Sequence, residues 1–338
     1  MKKRKLLFKN SLIFLHLIFA IVGLYTYLSA YHYAENLLIQ RTLNKQVILA
    51  KAGSTAVESL LKNVQSDLNS FIFSFDKTTG NELIDTDATR AEFRNYLQRA
   101  QLPVNGIALF DEKGKVSILE NREHVREGEG EDFSKAQFIK WSQDPQNKGK
   151  VFVSTPLMGV IGSSKGKIIY NMVEPIYFGN KFKGTLAIRL RVEDFTKAFI
   201  TPLIADTSED VFILNSSGVV IAGRDSILNS NLFAYAKSKK WPGYNNFINQ
   251  LDLALKQKET QAAWTIQLPN DTPKEMLVGI SKIDIPDTNN DLYMKVAISK
   301  TNVLESLSGL RKYGYIWLTI GVLTTIIGSF VIVRFQKD

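Results

Sequence analysis

The chain has 338 residues and no cysteine. This removes disulfide staples, thiolate nucleophiles and cysteine metal sites in one step. Histidine is almost as scarce, since only His16, His32 and His124 occur, the first inside an apolar run and the second at its edge. A histidine-based triad, a His-rich metal site and a kinase phospho-acceptor are therefore not expected. No nucleophile beside a base, no phosphate loop and no paired-carboxylate motif stands out, so the chain reads as a non-enzyme without a cofactor. Charge is absent where it matters most: residues 11–34 and 313–333 contain no Asp, Glu, Lys or Arg. As helices at ~1.5 Å per residue, runs of that length cross a ~30 Å hydrocarbon layer.

The net charge of +9 is uneven: Lys2, Lys3, Arg4, Lys5 and Lys9 supply five, the last five residues supply one, and about +3 is left for the rest. That is no nucleic-acid-binding charge. Basic residues flank both apolar runs on the same side, which predicts a two-pass protein of the cell membrane with both termini cytoplasmic and residues 31–312 outside. Tyr25, Tyr27, Tyr31 and Tyr33 sit where an interfacial aromatic belt would. The competing reading of the first run is a cleaved signal peptide, but the run is long for one and Leu28-Ser29-Ala30 is a poor cleavage site.

Proline is absent from residues 35–75, and Gly53 is the only glycine there, so one helix can leave the membrane unbroken. Val57, Leu61, Val64, Leu68, Phe71 and Phe75, spaced by four and three, form one apolar stripe, expected to pack on the protein's own domain. The more polar stretch before Ala56 is left for weak pairing of two chains.

Two strand-turn-strand units follow. Residues 106–119 hold an Asp111-to-Gly114 turn between apolar strands, and residues 210–222 repeat the pattern, Gly218 standing 104 residues after Gly114. A spacing that large is a duplicated domain. Three further strands are expected at residues 151–155, 168–177 and 185–191, and three more at 261–268, 275–283 and 292–299. An insertion at 121–149 distinguishes the first unit, a helical pattern at 246–256 the second, and the linker is 201–209. An Asn302-x-x-Glu305 start opens a helix expected to run on unbroken into the second span. In the strand at 185–191, Leu186, Ile188 and Leu190 alternate with Ala187, Arg189 and Arg191, so one face can pack on a helix while the other lines something polar.

FSKAQFIKW (133–141), VSTPL (153–157), EPIYFGNKFKGTLAIRL (174–190) and VEDF (192–195) occur in the order of pocket helix, strand, strand and exit helix. With the flanking spans, this resembles the double Cache sensor domain of prokaryotic chemoreceptors and sensor kinases. The resemblance implies an α+β fold: a long N-terminal helix plus two tandem PAS-like antiparallel-sheet modules between two transmembrane helices. The boundaries it suggests are a basic cytoplasmic tail at 1–10, a span at 11–31, the long helix at 32–75, a membrane-distal module at 76–200, a membrane-proximal module at 201–300, an exit helix at 301–312, a second span at 313–333 and a short tail at 334–338.

In the family the distal module usually binds a small extracellular ligand. The amino-acid-binding set is mostly missing: the carboxylate-clamping Arg falls at Lys135, the Trp and Tyr after it at Gln137 and Phe138, and the ammonium-holding Asp at Arg189. An ammonium facing an arginine is repelled, which favours a carboxylate or other anion. The expected ligand-binding residues are Arg189 and Lys135 as positive groups, with Trp141, Tyr170, Thr155 and Glu174 around them. Two plainer readings stand beside this: Arg189 and Arg191 as a solvated strand face paired with Glu174, and Trp141 as a core aromatic. No linker, kinase or cyclase segment is recognisable after Val333. The expectation is a sensor without its own output domain, signalling through a homodimer or a separate partner's membrane helices, or else a truncated receptor half or a non-signalling surface binding or scaffold protein.

Overall fold

Residues Lys2–Thr78 form one helix of 77 residues, α1. The structure is a computed structural model that describes residues 2–78, 87–204, 209–223, 228–238, 245, 248–249, 251–253, 257, 259–266, 274–289 and 291–334; side chains at 2–13, 16–17, 264–266, 329 and 331–333 lie outside that description. The expected helix at 246–256, the linker at 201–209 and the end of the strand expected at 261–268 therefore fall partly outside it. Two compact units divide the chain, one of residues 1–42 with 299–338 and one of residues 43–298.

In the larger unit the predicted stripe is the core. Val57, Leu61, Val64, Leu68, Phe71 and Phe75 are all buried, in a cluster with Leu186, Ile188 and Leu190. The stretch before Ala56 packs on the domain too, with Leu43, Gln46, Ala50 and Ser54 buried as well. Gly279 explains the close approach, because a Cβ there would collide with the α1 backbone at Gln46 and Val47.

The first module carries β1 (Val104–Phe110), β2 (Val116–Asn121), β3 (Phe152–Val153), β4 (Leu157–Met158), β5 (Ile168–Phe178) and β6 (Lys181–Arg191), ordered β2-β1-β6-β5-β3 with β4 also on β5. Helices α2 (Asp87–Arg99), α3 (Gln137–Ser142) and α4 (Val192–Phe195) complete it. The second module has β7 (Glu209–Asn215), β8 (Val220–Ala222), α5 (Leu232–Ser238), β9 (Glu259–Ile266), β10 (Lys274–Ile283) and β11 (Leu292–Ser299), ordered β8-β7-β11-β10-β9. The two separate sheets repeat one strand order. Their first hairpins even share turn chemistry: Asp111 Oδ1 accepts from the amides of Lys113 and Lys115 at 2.9 and 2.8 Å, and Asn215 Oδ1 from those of Ser217 and Val219 at 3.0 and 2.9 Å. Gly114 and Gly218 close these turns at φ +81° and +77°, where a side chain would be strained.

The loop between β10 and β11 seals the β3 edge of the first sheet. The Val153 amide donates to Asn289 Oδ1 at 2.7 Å, Asn289 Nδ2 donates to the Val153 carbonyl at 3.3 Å, and the Val151 amide donates to the Asp287 carbonyl at 3.0 Å. One side-chain amide thus stands in for a neighbouring strand.

In the smaller unit, α6 (Lys300–Glu305) and α7 (Ser308–Arg334) follow. The expected continuous exit helix is corrected here: it starts at Lys300 and is broken by a turn at Ser306 and Leu307. Tyr27 sits over Gly314, where any Cβ would collide with its ring, and its hydroxyl donates to the Leu310 carbonyl at 3.3 Å. Phe19, Trp317 and Phe330 remain 69, 71 and 65% exposed. Among the described residues no helix is long and apolar enough to cross a membrane, and both runs expected to do so include side chains outside the description.

Candidate functional site

β6 places its side chains as its alternation requires. Leu186, Ile188 and Leu190 join the cluster of the α1 stripe, and Ala187 joins a second cluster on the opposite face with Phe110, Phe138 and Ile161. Arg189 points to that second face and is 5% exposed. It lines a small cavity of about 30 Å3 whose walls are Phe110, Phe133, Phe138, Leu157, Gly159, Val160, Ile161, Ile169 and Asn171. Phe110 packs edge-on to Phe133 and Phe138 at 5.7 and 5.4 Å between ring centroids.

The guanidinium is poorly matched to its surroundings. Among the described residues its one hydrogen-bond partner is the Ile161 carbonyl, 3.5 Å from Nη1, a marginal contact. Among the described residues no carboxylate lines the cavity. Burial alone pulls its pKa down, to about 10, so it stays a cation at neutral pH. Beside it, on the neighbouring strand, stands Asn171, Arg189's register partner. Its amide oxygen is buried without a hydrogen-bond partner.

Ile161 closes the cavity from a short glycine-bounded segment. Gly159 and Gly166 pin its ends, the Gly159 amide donating to the Lys167 carbonyl at 2.8 Å and the Gly166 amide to the Gly159 carbonyl at 2.9 Å. Gly128 has no side chain because Ile161 fills that place. Behind it, Ser164 donates to Asn105 Oδ1 at 3.2 Å, Asn105 donates to Glu123 at 3.1 Å, and Arg191 donates to Glu123 at 2.6 Å. Burial would raise the Glu123 carboxyl, but hydrogen bonds from Arg191, Ser163 and Asn105 outweigh it and hold it at about 2.

Of the residues expected from sequence, only Arg189 reaches the cavity. Lys135 and Thr155 are exposed and line none of it. Trp141 is half-buried against the Phe152 ring, 5.4 Å between centroids, which is a core packing role. Tyr170 and Glu174 are buried on the opposite face of the sheet: Tyr170 packs edge-on to Phe195 at 5.3 Å within the α1 cluster, and Glu174 shares that face with Tyr170, Met172 and Ile176. Arg191 pairs with Glu123 and Asp194, not with Glu174. Asn171, Phe110 and Ile161 line the cavity without having been expected from sequence; strand alternation is the only signal for the first two, and Ile161, outside any strand, has none. In the second module, Lys295 is buried on the corresponding sheet face and lies 4.1 Å from the centre of the Phe212 ring.

A family profile for the double Cache arrangement, described as Cache domain, matches residues 30–307. The chain belongs to the Cache-domain family. Solved Cache structures agree on the fold. The periplasmic sensory domain of the Campylobacter jejuni chemoreceptor Tlp1 superposes with a TM-score of 0.61 at 14% identity, covering 79% of this chain and 98% of that one. The ligand-binding domain of the Pseudomonas fluorescens chemoreceptor CtaA, in complex with L-isoleucine, gives 0.55 at 12% identity over 81% and 99%. An extracellular ligand-binding receptor from Desulfohalobium retbaense gives 0.55 at 13% identity; 75% of this chain matches, spanning 40% of that one. No curated protein matches by sequence. Cache domains are ligand-binding sensor modules, and residues 30–307 of this chain form one.

Proposed function

We propose that this Cache protein is a membrane-anchored sensor that binds a small carboxylate or other anion in its first module. The observation that carries the reading is Arg189: a buried cation with one long hydrogen bond, and no carboxylate among the described residues lining its cavity. A buried charge without a counter-ion is costly, and a carboxylate would meet the guanidinium through two parallel hydrogen bonds. CtaA was solved with L-isoleucine. An amino acid here would bring its ammonium to an arginine in a desolvated site, with no acid among the described lining residues to receive it.

Thermal unfolding of the full chain with small carboxylates, amino acids and neutral sugars tests the reading. A ligand at ~100 times its dissociation constant stabilises by about 2.7 kcal/mol. Carboxylates are expected to shift the midpoint and Arg189→Gln to abolish the shift. Shifts with amino acids or sugars alone overturn the proposal.

The anchoring proposed is two-pass, through residues 11–31 and 313–333, with residues 31–312 extracytoplasmic. It is supported by the uncharged runs and by the outward-facing Phe19, Trp317 and Phe330. Because the chain has no native cysteine, single-cysteine labelling is clean. Lys140→Cys is expected to react with an impermeant maleimide on intact cells, and Lys3→Cys only after lysis. The reverse pattern would invert the topology.

A further inference from the structure

The cavity holds two unmet demands. Arg189 has one marginal partner, and Asn171 is 6% exposed with its amide oxygen unpartnered. The two are direct register partners on β5 and β6, which puts their Cα atoms about 5 Å apart. Both side chains also line the one small cavity, so a molecule that sets a carboxylate on Arg189 can bring the substituent of its next carbon to Asn171. That substituent has to hydrogen-bond. A hydroxyl satisfies an amide in either orientation of its oxygen and nitrogen, since it both donates and accepts. An ammonium does not suit the place, having Arg189 beside it and no carboxylate among the lining residues. A second carboxylate also has no cation, since Arg189 is the only charged residue among those lining the cavity. The remaining walls are apolar, with Phe110, Phe133 and Phe138 forming an aromatic cluster.

We infer that the ligand of this cavity is a small 2-hydroxy monocarboxylate. The inference rests on the carboxylate reading above and adds the hydroxyl, assigned to Asn171. The cavity of about 30 Å3 has room for one or two waters as it stands. The ligand enters by moving Ile161 aside, and its carboxylate replaces the Ile161 carbonyl at Nη1.

Calorimetric titration of the full chain with L-lactate, propionate and L-alanine tests this, because the three share a carbon skeleton and differ only at the second carbon. Lactate is expected to bind roughly tenfold tighter than propionate, the scale of one satisfied buried hydrogen bond, and alanine no better than propionate. In Asn171→Ala the lactate preference should fall to within about twofold while propionate is retained, and Arg189→Gln should lose both acids. Asn171→Ser, which puts a hydroxyl where the amide was, should recover part of the preference. Unliganded unfolding of each variant identifies any that fail to fold, in which case the wild-type ratio decides. If wild type binds lactate and propionate equally, or Asn171→Ala keeps the preference, the hydroxyl assignment is overturned and the carboxylate reading stands. If neither acid binds, the carboxylate reading falls and takes this inference with it; tighter binding of alanine overturns both.

Discussion

Glu174 is a carboxyl on the wrong side of the sheet for a ligand, and its environment gives it a measurable signature. It is 3% exposed, one of its oxygens has no partner, and burial raises its pKa from 4.5 to about 8. Between these two values the native state holds a proton that the unfolded chain has released, so stability falls as pH rises through that window. Below it both states are protonated; above it the full cost of a buried carboxylate is borne. Denaturant titrations at pH 5 and pH 8 should show wild type losing stability between them, and Glu174→Gln should flatten that difference. An unchanged slope in the variant would show that another group is responsible. Glu123 works in the opposite sense: held at about 2, it contributes stability above the ordinary carboxylate range that is lost as pH falls toward that value.

At the scale of elements, α1 was legible in the sequence because helix periodicity survives any detail of packing, and its six-residue stripe is buried as the spacing requires. Leu61→Ala is expected to cost about 2–5 kcal/mol. Lys62→Ala, on the exposed face beside Glu58 at 2.5 Å, should stay within about 0.5 kcal/mol. Equal effects in denaturant melts would mean that the stripe is not the packing surface. Gly279→Ala should also destabilise, since its Cβ has no space against the α1 backbone. The strand pairing behind the site was much less legible. Counted back from the turn at Gly179 and Asn180, Tyr177 faces Phe182 and Phe178 faces Lys181, a register that would set Tyr170 opposite Arg189. The register shifts by one between Ile176 and Tyr177, so Asn171 takes that place, while Tyr170 and Glu174 turn toward the α1 side. A bulge has no reliable signature in a single sequence. Without it the polar lining cannot be assigned, whereas Arg189 was found because β6 alternates within itself.

For the whole molecule, the duplication was readable because both first hairpins need the same turn residues, Asp111 with Gly114 and Asn215 with Gly218. The joint between the modules was not, because it depends on Asn289 meeting Val153 across 136 residues of sequence. That joint has a consequence for solubility. A two-residue outer strand with free amides and carbonyls is a template onto which another chain can add. Here the vacancy is occupied by a single asparagine, whose side chain offers one donor and one acceptor at the spacing of a peptide group. Asn289→Ala should therefore lower stability only by the roughly 1 kcal/mol of a lost hydrogen bond or two, yet raise the rate at which concentrated protein self-associates. Light scattering at constant folded fraction would separate the two effects, and an unchanged scattering rate would show that the loop backbone at Asp287 guards the edge unaided. On this account Asn289 acts less as glue than as a gatekeeper against fibrous assembly.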